Sequence, residues 1–462
     1  MDEDEDVPVH PATLALRLPT LPAEFWSARE VHERIRQAAH SRLASADLVL
    51  HVALARLAAM SSWELGFDSG RGISSLNYFT AAVGPSGAGK STGTEAAVDM
   101  VATPDYLEAA DLSEPEPFAD GLPIGSGEGI AEAFMGTKEI EIGVSRKGDP
   151  ITKNVRAQVR HNAFVVIDEG ETFSKMGERK GATVGATLRS AWSGATLGQA
   201  NGTAETTRRI PARSYSLGLV VGFQPATALP LLADTATGMQ QRFTWVSAVD
   251  PSIPDEPVEH PGPIKLPALP APRRPGGFGE EPTPPMTFPA EVIAELRADR
   301  LAKVRGTLVV PEADSQAPLM RCKIAALLAL LDGRVDVDLD DWNLSGTVWS
   351  TSCAVRDAVT GHARAVKAAQ EELVTQFRVQ LAERQAAATA AIPAKVDRLA
   401  SNLAGHVVRE GMLLRSAARK TMRSSDRHLF DQVVEKAAEL GLLRVADGGG
   451  ALLPPVVPEG ST

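Results

Sequence analysis

The residues best placed to do chemistry are Gly84-Pro85-Ser86-Gly87-Ala88-Gly89-Lys90-Ser91-Thr92, which fit G-x-x-x-x-G-K-[ST] at every fixed position. Glycines at these points let the backbone curl with its N–H groups turned inward, where phosphate oxygens would meet them. A helix starting at Lys90 would aim its positive end at the same anion. Lys90 would reach the outer phosphates of a nucleoside triphosphate such as ATP, and the Ser91 hydroxyl would hold Mg2+. A strand-like apolar run, Tyr78 to Val83, leads in, and a helix-compatible run, Ser91 to Val98, leads out.

A second group completes this chemistry. Phe164-Val165-Val166-Ile167 is an apolar run ending in Asp168-Glu169. A buried parallel strand reads this way, and its carboxyl end is where an open α/β sheet places ligands. Asp168 would share the magnesium with Ser91, and Glu169 would orient or deprotonate the attacking water. Glu128, in Gly125-Ser126-Gly127-Glu128-Gly129, competes with Glu169 as the base, or serves as an acid stabilising a helix N-terminus. Gln224, in Gly222-Phe223-Gln224-Pro225, is suited to bind the terminal phosphate or its water, or is a turn residue. Arg242 is either a surface charge or an arginine finger entering a neighbouring copy's site.

The elements that must position these groups follow an α/β pattern. The expected organisation is an acidic tail at 1–24, an N-terminal helical segment at 25–75 and a P-loop ATPase core at 76–250. A proline-dense linker follows at 251–287, then a helical lid-like domain at 288–392 and a separate domain at 393–462. The core is expected to be a mostly parallel sheet with helices on both faces, its strands including Tyr78–Val83, Ala163–Ile167, Ser214–Gly222 and Arg242–Val246. In a chain of 462 residues, 44% of them hydrophobic, a sizeable core can form. No apolar run reaches about 18 residues, so no membrane helix is expected. The start, Met1-Asp2-Glu3-Asp4-Glu5-Asp6, opposes a secretion or transit signal. Cys322 and Cys353 stand in no metal-like spacing, which fits a reducing cytoplasm. The net charge of −11 argues against blanket nucleic-acid binding, so local basic patches matter more.

Two such patches occur. Lys138–Ser145 and Ile151–Arg160 alternate at strand period around Arg146-Lys147-Gly148-Asp149-Pro150, reading as a β-hairpin with a basic tip. It is either a plain surface hairpin or one that touches a phosphate backbone, and Arg208, Arg209 and Arg213 share that ambiguity. The last domain reads as helix, helix, longer helix and a Gly-rich ribbon, the order of a winged helix. Ser425-Asp426 is expected to cap its third helix and Gly441 to end it. Arg415, Arg419, Lys420, Arg423 and Arg427 make this region basic in an acidic chain, which favours contacts with DNA phosphates over protein contacts.

The motif order adds a resemblance. The phosphate loop, Ile167-Asp168-Glu169, Gly222-Phe223-Gln224-Pro225, Gln240-Gln241-Arg242-Phe243 and the helix opening Arg321-Cys322-Lys323-Ile324 are similar to the helicase-like P-loop ATPases (RecA/AAA+-type) of actinobacterial phages and mobile elements. That resemblance spans roughly residues 25–445. It implies an oligomeric, hexameric nucleotide-driven motor on DNA, with replication proteins as partners. It also implies that Arg321 opens a helix over the nucleotide, where it contacts phosphate or remains an exposed charge. No primase signature is present. The reading is an ATP-dependent DNA motor; the alternatives are a non-motor DNA-binding ATPase switch (a regulator, helicase loader or defence ATPase) and a small-molecule kinase.

Overall fold

The structure is a computed structural model and describes residues 16–108, 117–145, 149–178, 183–199, 208–233, 237–264, 266 and 283–456. The acidic start, the hairpin tip Arg146-Lys147-Gly148 and part of the proline-dense stretch lie outside the described residues. The chain divides into two units, residues 12–366 and residues 367–462 with 1–11.

Five strands organise the first unit: β1 (Tyr78–Val83), β2 (Phe118–Leu122), β3 (Asn162–Ile167), β4 (Ser216–Phe223) and β5 (Thr244–Ser247). They form one parallel sheet in the order β5-β1-β4-β3-β2. The residues of β1, β4 and β5 are buried throughout, as strands covered on both faces must be. β2 was not anticipated: Asp120 and Gly121 interrupt its apolar run, and its pairing with β3 shifts register there.

Helices α1 (Glu30–Ser41) and α2 (Ala46–Met60) precede the sheet, and α3 (Lys90–Met100) follows β1. Every residue of α2 is buried. A helix apolar all round must be covered on every side, so this segment is part of the core rather than an appended one. It lies so close to the sheet that a Cβ on Gly218 of β4 would sit 1.9 Å from the Ala55 carbonyl oxygen. Its few polar groups are satisfied internally. The Arg56 Nε donates to the Val101 carbonyl (2.9 Å), and its guanidinium pairs with Asp120. The His51 Nδ1 lies 2.9 Å from the Tyr78 hydroxyl and 3.2 Å from the Thr244 hydroxyl.

Asp47 is the costly member of α2. Its carboxylate is buried and accepts from the Leu21 N–H at 2.8 Å. Burial, helped by the charge of Asp250, pushes its pKa up to about 7. A raised carboxyl pKa favours the protonated folded state, so stability is full below the unfolded value and is lost as pH rises towards 7. Asp47→Asn keeps the acceptor without the charge. It is expected to raise the unfolding free energy measured by urea titration at pH 8 by on the order of 4 kcal/mol, and to leave it unchanged near pH 4. On the acid side His32 and His51, held neutral by burial with pKa values of about 4 and about 3, make both proteins lose stability as pH falls below the ordinary histidine range.

Helix α4 (Ala317–Leu331) is also almost wholly buried. A single helix runs from Leu339 to Glu410 with Pro393 inside it, so the expected domain boundary at 393 falls within a helix. Alanine-rich flanks with high helix propensity carry the chain through the proline.

The second unit is built on Val396, Ala400, Leu403 and Val407 from that helix. Ala418, Phe430, Val433, Val434, Leu443 and Leu452 pack with them. Helices Arg415–Thr421 and Phe430–Glu439 flank a 3-10 turn, Ser424–Leu429. Leu413–Leu414, Arg444–Val445 and Ala451–Leu453 form a small antiparallel sheet. The expected cap at Ser425-Asp426 is not made; Asp426 instead pairs with the Lys395 ammonium at 2.7 Å. Gly441 does end the last helix, at φ +68°, with the Leu442 N–H returning to the Ala437 carbonyl. Among the described residues no single helix is long and apolar enough to cross a membrane.

Candidate phosphate-binding site

The loop between β1 and α3 is shaped by its glycines. A Cβ on Gly84 would lie 2.9 Å from the Ala248 Cβ and 3.1 Å from that of Ala88. Gly89 occupies the N-cap of α3 at φ +74°, in the left-handed region that favours glycine. The first turn of α3 carries no acid, so its positive end and unpaired N–H groups face the loop without a competing anion. The Lys90 ammonium folds back on the loop, donating to the carbonyls of Gly84 (3.0 Å) and Pro85 (2.9 Å). Partial burial lowers its pKa. Both carbonyls are neutral acceptors, which an incoming phosphate would outcompete.

The opposite wall comes from the carboxyl ends of β3 and β4. Asp168 and Glu169 directly follow β3 and are both exposed. The Thr172 hydroxyl stands 3.4 Å from the Glu169 Oε2. β4 lies between β1 and β3, so Gln224 emerges between the loop and the two carboxylates. The Gln224 backbone is pinned, its N–H donating to the Thr227 hydroxyl and its carbonyl accepting from it, each at 3.0 Å. Gly222 makes the approach possible: a Cβ there would lie 2.9 Å from the Asp168 carbonyl oxygen and 3.5 Å from the Lys90 Cδ.

These groups enclose a cavity of about 500 Å³ lined by Ser86 through Thr92, Asp168, Glu169, Gly170, Glu171, Gly222, Gln224 and Thr227. Sequence reasoning missed Gly170, Glu171, Gly222 and Thr227 as lining residues. The Thr three residues after Gln224 was a usable sign, because short hydroxyl-backed turns recur at such spacing.

Other expected residues lie elsewhere. Arg242 stands just before β5, at the amino end of the sheet. Since Thr244 pairs with Thr80, it is level with the start of β1. Six residues of strand separate that level from Gly84, on the order of 20 Å. Its guanidinium lies 5.5 Å from the Trp192 ring centre and donates to the Gly238 carbonyl at 2.5 Å. Arg321 stacks on Trp342 at 3.7 Å and pairs with Glu295 at 3.4 Å. Glu128 sits in the first turn of helix Gly127–Glu132, which Ser126 caps, and pairs with Arg208 at 3.1 Å beside a separate cavity. In the second unit Arg415 pairs with Asp431 at 2.5 Å, and Arg427 donates to the Met422 carbonyl at 3.2 Å. Arg419, Lys420 and Arg423 are exposed.

The first unit is thus an α/β fold with a five-stranded parallel sheet flanked by helices, consistent with a P-loop-like core. No family model matches the chain, and no curated protein matches it. Among solved structures it is similar to a full-length MCM homolog from Methanopyrus kandleri, at 13% identity and a TM-score of 0.34 over 74% of this chain. The chain covers 63% of that protein's length. A likeness this distant carries no argument about function.

Proposed function

We propose that this chain is an ATPase that binds ATP with Mg2+ in the cavity between α3 and the carboxyl ends of β3 and β4. The observation that carries this reading is the convergence of Lys90, Ser91, Asp168, Glu169 and Gln224, from three separate stretches of sequence, on one cavity. The loop N–H groups and the α3 terminus would cradle phosphate oxygens, and Lys90 would leave its two carbonyls for them. The donor set fits magnesium, a hard cation that prefers oxygen: Ser91 offers a hydroxyl and Asp168 a carboxylate. When bound, the ion would supply neutralisation of phosphate charge. Glu169 would take the proton of the attacking water and Gln224 would orient that water or the terminal phosphate.

The finer reading is a DNA motor, a helicase-like replicative ATPase working as a ring, with replication proteins as further partners. It is supported by the order of elements in the second unit. Three helical stretches followed by a strand pair with Gly448 and Gly449 between them read as a winged helix. Its exposed Arg419, Lys420 and Arg423, with Arg415 and Arg427, offer cations for a phosphate backbone. Arg242 would act on a neighbouring copy's nucleotide, and Arg321 would serve only if its stack on Trp342 opened.

Two measurements test this. Lys90→Ala is expected to weaken binding of a fluorescent ATP analogue at least about tenfold, about 1.4 kcal/mol. Normal binding and hydrolysis by that variant would remove the site assignment. Strand displacement on forked DNA separates the motor from a switch: DNA-stimulated hydrolysis without unwinding or translocation would leave only the ATPase switch.

A further inference from the structure

One turn beside the phosphate loop is strained. Helix α1 ends at Ser41, and Leu43 follows with φ +53°, in the left-handed region that a branched side chain rarely adopts. The turn stops the helix in a regular way. The Leu43 N–H returns to the His40 carbonyl at 3.1 Å and the Ala44 N–H to the Ala39 carbonyl at 2.9 Å. Glycine makes such a stop without strain. Leu43 instead keeps an apolar side chain there and leaves it 74% exposed. A backbone outlier fixed by its surroundings points to function, and here the surroundings are the loop itself. The Leu43 carbonyl oxygen lies 3.9 Å from where a Cβ on Gly89 would stand, and the Ala44 Cβ 3.7 Å from where one on Gly93 would. Arg42 pairs with Asp99 of α3.

A second turn is clamped to the first. The Ser45 hydroxyl donates to the Ser247 carbonyl at 2.8 Å, and the Ala46 N–H to the Asp250 carboxylate at 3.1 Å. Between those two partners stand Ala248, whose Cβ closes on Gly84, and Val249, 46% exposed. Two exposed apolar side chains thus flank the loop, one on the turn beside Gly89 and one on the turn beside Gly84. In the sheet β5 lies on one side of β1 and β4 on the other, so Val249 stands across the loop from Gln224, Asp168 and Glu169. A nucleotide that turns its terminal phosphate towards those polar groups directs its ribose and base the other way. Resting on the ATPase reading above, we infer that Leu43, with Val249, seats the nucleobase of that nucleotide by apolar contact with the face of its ring. The fixed backbone at Leu43 holds the side chain ready before the base arrives, so little ordering accompanies binding. The strain at Leu43 is offset when the exposed leucine and the base cover each other from water.

The test compares two ligands on the full-length chain by titration calorimetry: ATP and inorganic tripolyphosphate, each with Mg2+. Tripolyphosphate offers the phosphates without a base. Wild type is expected to bind ATP more tightly than tripolyphosphate. Leu43→Gly suits the left-handed turn and removes the apolar side chain. It is expected to weaken ATP about tenfold, the order that covering one leucine supplies, and to leave tripolyphosphate unchanged. Leu43→Asn, which also tolerates this backbone but is polar, is expected to do the same. Circular dichroism in urea reports folding of both variants independently, with a midpoint no lower than that of wild type. ATP affinity unchanged in both variants overturns the inference. So does an equal loss for the two ligands, which would mean that the turn only shapes the loop. Wild type that binds both ligands equally overturns this inference alone, whereas wild type that binds neither overturns the ATPase reading as well.

Discussion

Glu169→Gln is expected to bind ATP as tightly as the unmodified chain and to hydrolyse it about 10²- to 10⁴-fold more slowly, the usual contribution of a general base. The substitution is nearly isosteric and keeps the amide oxygen within reach of the Thr172 hydroxyl, so the wall of the cavity is retained. What it removes is the proton acceptor. Steady-state phosphate release gives the rate and the fluorescent analogue gives the affinity. Asp168→Asn should instead reduce the magnesium dependence of binding. Glu128→Gln supplies the contrast. Glu128 lines a different cavity and is engaged with Arg208, so its loss should leave turnover near that of the unmodified chain. A large effect at Glu128 with none at Glu169 would exchange their roles.

That contrast shows why parts of the site were legible and others were not. The phosphate loop is a local device: its turn, its backbone donors and its lysine are fixed by consecutive residues. β1, β3 and β4 were readable because strands buried on both faces need unbroken apolar runs. β2 was not, because Phe118-Ala119-Asp120-Gly121-Leu122 carries a carboxylate that pairs with Arg56 of α2, a partner far away in sequence. The place of α2 was hidden for a related reason. Its uniform apolarity predicts burial but not which surface buries it, and only the close approach at Gly218 ties it to β4. The domain boundary expected at 393 falls inside one helix, because the alanine-rich flanks carry the helix through Pro393. The strand Leu413–Leu414 was not legible, since two residues of strand leave no periodicity to detect. Arg242 was legible as a candidate but its distance from the chain's own cavity was not, because that depends on register between strands.

Lys323→Met is expected to destabilise the first unit by about 3–5 kcal/mol, the cost of leaving buried carbonyls without a donor. Lys323 is buried, and its ammonium donates to the carbonyls of Ser75 (2.6 Å), Asn77 (2.7 Å) and Trp192 (2.9 Å). Three donor protons thus meet three acceptors, with the Trp192 ring beneath at 4.5 Å. Burial pulls the lysine pKa well below its ordinary value, and the nearby Arg242 cation lowers it further. Methionine has a similar shape but no donor, so it leaves three buried acceptors unpaired, at about 1–3 kcal/mol each before relaxation. The urea midpoint followed by circular dichroism measures the loss, and an unchanged midpoint would mean that the cage contributes nothing. The functional consequence can be separated from the structural one. Lys323 joins α4 to the residues that lead into β1 and to Trp192, the seat of Arg242. Under conditions where Lys323→Met remains folded, turnover should therefore fall while nucleotide affinity, set at the other end of β1, stays near that of the unmodified chain.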